Sequence, residues 1–134
     1  MRADRHGDVI DALPIDDISV ANWKTGLEAI NRGYTYLPPV IDGWVLVASQ
    51  NLPRHDESGE NPLMRYLAQK FVEVQFFESH EEHDNFFVWS RFRRGEEERT
   101  LVYSIEIAAG VVCERGEPST EEAELGLTSF GYEN

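Results

Sequence analysis

The chain has 134 residues, 25 of them acidic and 12 basic, for a formal net charge of −13. That excess excludes the lysine- and arginine-rich surface that nucleic acids or anionic membranes require, while a hydrophobic content of 41% excludes a disordered acidic tail. One cysteine, Cys113, leaves no intramolecular disulfide and points to a reducing, cytoplasmic setting.

Residues 1–17 read as a loose leader with Gly7, Pro14 and several aspartates, and they lack the apolar stretch of a signal peptide. A single domain is expected over residues 18–134. Its first helix follows Ser19 as N-cap, because Val20, Trp23, Leu27 and Ile30 recur on one helical face. Gly33 is placed to end that helix. Tyr34 to Leu37 reads as a short strand stopped by Pro38 and Pro39, and Trp44 to Ser49 as a second one. Asn61-Pro62 opens the second helix, with Asn as cap and Pro at the first helical position. Leu63, Leu67 and Phe71 give it an apolar face, with Met64 beside them.

Three aromatic-rich strands follow, near 71–78, 85–93 and 99–108, the last two joined at Gly95 as a hairpin. Leu101, Tyr103, Ile105 and Ile107 alternate with Thr100, Val102, Ser104 and Glu106, so one face of the sheet is buried. Val111 to Glu114 can form a last strand, and Ser119 with Glu122 makes a capping box for a short C-terminal helix. The expected fold is α+β. It has an antiparallel sheet of about five strands, two main helices packed on one face, and that short helix.

No catalytic motif accompanies these elements, whether nucleophile elbow, phosphate loop or dinucleotide fingerprint. His80-Glu81-Glu82-His83-Asp84 gathers ligating side chains. Its two histidines stand three apart, not four, so they do not match the helical zinc motif. A solvated acidic turn is the better reading, with no metal and no cofactor expected. Glu96-Glu97-Glu98 forms a second acidic run at a hairpin tip beside Arg93-Arg94. Residues 96–134 carry 10 acids against 2 bases. Phe86, Val88 and Phe92 fall on the opposite strand face from Phe87 and Trp89, so both faces of this hairpin are apolar. Either the sheet is covered twice or one face meets a partner.

The segments Val20-x-x-Trp23-x-x-Gly26-Leu27, Leu37-Pro38-Pro39-x-x-Asp42-Gly43-Trp44-x-Leu46-Val47 and Phe71-x-Glu73-Val74-Gln75-Phe76-Phe77-x-Ser79-His80 carry a resemblance. With the ending Glu114 to Gly126, they resemble a group of small bacterial cytoplasmic proteins of the antitoxin or toxin-immunity kind. That resemblance implies a non-enzymatic protein that binds a cognate toxin and assigns no catalytic residue. The net charge points to a basic partner, such as a nuclease, held through Glu81, Glu82, Asp84, Glu96, Glu97 and Glu98, with Phe86 or Trp89 as apolar anchors. The alternative is a small enzyme or ligand-binding domain with a pocket between helix and sheet, lined by His80, His83 or Tyr103. A homodimer joined through the aromatic hairpin is compatible with either.

Overall fold

The computed structural model describes residues 1–14, 17–56, 58–80, 86–106 and 110–125, with the side chains of His80 and Phe86 left out. In chain order the elements are α1 (His6–Ile10), α2 (Trp23–Ile30), α3 (Pro62–Lys70), β1 (Glu73–His80), β2 (Phe86–Arg93), β3 (Glu96–Ser104), β4 (Val111–Arg115) and α4 (Thr120–Glu124). The four strands form one antiparallel meander in the order β1-β2-β3-β4. The fold is therefore α+β, with four strands where about five were expected. Tyr34–Leu37 and Trp44–Ser49 make only isolated bridges, such as Tyr36 with Ala48. Two prolines after Leu37 and the turn at Asp42-Gly43 leave too little extended chain there for a ladder.

Local chemistry starts the helices. Asn61 accepts a hydrogen bond from the Leu63 N–H at the head of α3, and Pro62 holds the next position. Ser119 and Glu122 form the reciprocal capping box of α4. The cap of α2 is Asn22, which exchanges hydrogen bonds with Thr25; Ser19 lies outside the helix. Leu27 and Trp23 are half exposed, and Val20 is fully exposed. The buried residue of α2 is Gly26, against the ring of Tyr36, where a Cβ would overlap the ring.

The core lies between α3 and one face of the sheet. Met64, Leu67 and Ala68 of α3 pack with Val74 and Phe92, and α3 touches both β1 and β2. The segment read as a leader contributes Val9, Ala12 and Leu13 to the same cluster. Residues 1–3 are woven in by backbone bonds, with Arg2 N–H donating to Glu73 and Val45 N–H donating to Met1. The apolar spacing of Val9, Ala12 and Leu13 was the signal for this packing, masked by the surrounding aspartates.

Candidate binding surface

Strand register sorts the sheet into two unlike faces. Val74 pairs with Phe92, Phe76 with Ser90, and Glu78 with Val88. Across the next ladder Ser90 pairs with Thr100 and Val88 with Val102, and Thr100 with Arg115 and Val102 with Cys113. Paired residues share a face, so these line the inner side beneath α3 and the loop of residues 53–60. Beyond Val88 and Val102 this inner face is largely polar.

The polar groups are strung into one chain. Glu78 Oε2 lies 2.9 Å from His55 Nδ1, and His55 Nε2 lies 3.0 Å from Ser90 Oγ. Ser90 Oγ is 3.0 Å from Thr100 Oγ1, and the Thr100 side chain bonds Glu97. Arg115 Nε donates to Glu97 Oε1 at 2.7 Å, and its Nη1 to the Ser58 carbonyl at 2.6 Å. Burial pushes the Glu97 carboxyl up, but the Thr100 hydrogen bond and the Arg115 guanidinium outweigh it and hold it below the ordinary value. Arg115 shifts reciprocally: burial lowers it, and Glu97 raises it further.

Glu78, His55 and Ser90 stand in the order of an acid–base–nucleophile triad. Chemistry does not follow from the order alone. Ser90 is wholly buried on the central strand β2, and its hydroxyl is shared between His55 and Thr100. No substrate carbonyl can approach that oxygen. These bonds brace His55, Ser58 and Gly59 against all four strands and satisfy groups that would be costly to bury alone.

The outer face carries the apolar side chains. Phe77 pairs with Trp89, and Trp89 with Leu101. In the next row Ser79 pairs with Phe87, and Phe87 with Tyr103. These two rows border a shallow groove of about 570 Å³. Phe77 is 73% exposed and Phe87 39%, so this face meets solvent. Trp89 is held in place by its Nε1–H, which donates to Gln75 Oε1 at 3.2 Å.

The other half of the outer face is ionic. Arg91 Nε bonds Glu73 at 3.0 Å and Glu98 at 3.1 Å. Arg99, 2% exposed, donates to Glu122 of α4 at 3.1 Å, to Glu114 at 2.8 Å and to the Gly116 carbonyl at 3.0 Å. The short helix α4 thus docks through Glu122 on the ionic half.

Of the acidic residues expected to bind a partner, Glu96, Glu97 and Glu98 do not face the same way. Glu96 is exposed where the β2–β3 hairpin turns. Glu97 faces inward, opposite Phe92, in the pair with Arg115. Glu98 faces outward and is shared by Arg91 and Arg93. Glu81, Glu82 and Asp84, with His83, lie outside the described residues. Their segment joins His80 to Phe86, which are register partners at the far end of β2 from Glu96. The length of β2 puts Phe86 and Arg93, its two end residues, about 24 Å apart. Trp89 sits in the aromatic rows, between Phe77 and Leu101. Phe86 pairs with His80 and Ser104 on the opposite parity, and its side chain is outside the described set.

Phe77 and Leu101 are the surface residues that sequence reasoning passed over, while Phe87 was placed on the face of Trp89 without being named an anchor and Tyr103 was named only for a pocket. Their signal was the alternation of β3, which shows that two faces differ without showing which is covered. Among the described residues, no group of three histidine, cysteine or acidic side chains is arranged to hold a metal ion, and no helix is long and apolar enough to cross a membrane. Compared with protein families, curated proteins and solved structures, the chain finds no match.

Proposed function

We propose that this protein is a non-enzymatic inhibitor of the immunity type, cytoplasmic, which binds and occludes a basic toxin enzyme such as a nuclease. The observation that carries the reading is the solvent-open pair of aromatic rows on a molecule of net charge −13. Aromatic side chains on rigid strands supply most of the energy at a protein interface. A strongly negative molecule is steered toward the basic cleft in which a nuclease holds phosphates. Glu97 and Glu98 are already drawn into ion pairs, so steering falls to the net charge, to Glu96, and to Glu81, Glu82 and Asp84.

The test needs a basic toxin enzyme, sought in the product of an adjacent reading frame. One-to-one inhibition is expected, with an association rate that falls by about tenfold or more from low to physiological salt. Phe87→Glu should weaken inhibition by about a hundredfold, a hot-spot loss, at unchanged melting temperature. No inhibition, or a rate indifferent to salt, sinks the reading. Self-association through the same rows has to overcome the mutual repulsion of two acidic molecules.

The alternative, a ligand-binding domain, has one observation behind it. A cavity of about 340 Å³ lies between α3, β1 and the segment from Trp44 to Leu52. Among the described residues its wall has no acidic or basic side chain, and Tyr103 does not line it. That lining lacks the converging polar groups of an active site.

A further inference from the structure

Trp23, Leu27 and Ile30 share one side of α2, a spacing that ordinarily turns such a stripe to the core. The structure turns the helix differently. Gly26 is its buried residue, seated on the ring of Tyr36, while Trp23 and Leu27 stand half exposed. Ile18 and Val20, in the chain that leads into α2, and Tyr34 beyond it are exposed as well. A helix of eight residues thus rests on Tyr36 through Gly26 and the edge of Trp23, and keeps its apolar stripe in water.

The charge around this stripe differs from that of the whole molecule. From Ile18 to Leu46 the chain holds two acids, Glu28 and Asp42, and two bases, Lys24 and Arg32, so the excess of −13 lies entirely outside it. Lys24 and Glu28 stand about one turn apart on the flank of the stripe. Both are exposed, and neither makes an ion pair with another described residue.

We propose that this face joins a second copy of the chain in an antiparallel contact of α2 with α2. An interface between identical copies about a twofold axis must be self-complementary, each patch meeting itself reversed. The α2 surface meets that condition. With the axis level with residue 26, Lys24 of each copy falls beside Glu28 of the other, so the contact forms twice. Antiparallel helices set like flank against like flank, and both charges lie on one flank. The same register brings Trp23 near Ile30 of the second copy, with the two Leu27 side chains between them.

Other occupants fit less well. A basic partner finds no acidic excess at this face, and the rest of the molecule repels an anionic membrane. Two copies meet without that conflict. At physiological ionic strength charges beyond about 8 Å are largely screened, so the neutral surface at the contact outweighs the distant acids. Eight helical residues span about 12 Å, which makes a small interface with an affinity of about micromolar or weaker. None of these residues lines the groove between the aromatic rows, so the inference stands whether or not those rows bind a toxin.

The experiment follows the full chain by sedimentation equilibrium from about 1 to 500 μM. A concentration-dependent dimer is expected, and α2 amides, fast to exchange in dilute protein, should slow by about tenfold as it forms. Leu27→Glu should weaken the dimer by about tenfold or more at unchanged far-UV circular dichroism. Lys24→Glu and Glu28→Lys each set like charges across the axis, and each alone should weaken self-association by about tenfold. Mixed in equal amounts, these two variants should restore a dimer, because the acidic flank of one then meets the basic flank of the other. A chain that stays monomeric throughout overturns the proposal, as does a dimer that Leu27→Glu leaves intact. So do charge variants that associate as well alone as mixed, and α2 protection that ignores concentration, because the chain itself then covers the stripe.

Discussion

Ser90 shows how one small residue decides what this sheet can do. A hydroxyl beside a histidine that is itself held by a glutamate is the arrangement of a nucleophile, yet burial makes it a structural joint. Its Oγ serves His55 Nε2 and Thr100 Oγ1 at 3.0 Å each. Ser90→Ala removes one hydroxyl and leaves two buried polar atoms short of a partner, a change that costs about 1–3 kcal/mol. Urea unfolding should show that loss as a lowered midpoint at unchanged slope. The double variant with Thr100→Val should cost less than the sum of the two single changes, because the second removes an atom the first had stranded. Additive losses would mean that the two hydroxyls do not share a network. Neither residue was visible as a pair in the sequence. Ten positions separate them, and only the β2–β3 register brings them together.

Helices and sheet differ in what holds them. The ladders β1–β2 and β2–β3 run seven or more residues each, and α3 seals one face. By contrast, α2 rests on Tyr36 through Gly26, with Trp23 edge-on to that ring at 5.9 Å. Such an element opens locally without the global transition. Amides of α2 should exchange by orders of magnitude faster than those of β2. Asn22→Ala, which removes the cap on the Thr25 N–H, should destabilise α2 by about 1 kcal/mol while leaving the denaturation midpoint of the sheet in place. A shift of the whole transition would show that α2 belongs to the cooperative core. The starts of α3 and α4 were legible in the sequence, because a cap is made by residues two or three apart. The β2–β3 hairpin was legible for the same reason at Gly95, whose φ of +83° suits glycine. The segments at 34–37 and 44–49 were not, since a strand exists only if a distant partner pairs with it. The aromatic rows were half legible: alternation showed two unlike faces, and burial then fell on the face with Ser90, Thr100 and Ser104.

For the whole molecule, the acidic surplus has two fates. Part is taken up in ion pairs, which among the described residues engage seven arginines, with Arg99 and its partner Glu122 buried. Others, such as Glu96, Glu117 and Glu121, face solvent and contribute to the field of the molecule. The two parts respond to acid in opposite ways. Protonating solvent-facing carboxylates relieves self-repulsion, whereas protonating an internally paired one breaks a link that holds elements together. Glu97 is the clearest internal case, because it joins β3 to Arg115 of β4 and stands 3.7 Å from Arg65 of α3. Its folded carboxyl titrates below its ordinary value of 4.5. A depressed carboxyl stabilises the fold in full above the unfolded value, and that contribution disappears as pH falls through the lower, folded one. The difference in unfolding free energy between the native chain and Glu97→Gln should therefore be constant from neutral pH down to about 5 and shrink below about 4.5. Chemical denaturation at a series of pH values measures it. A difference that persists undiminished at about pH 3 would mean that the glutamine loses packing or hydrogen bonds, and that the charge on Glu97 contributes nothing.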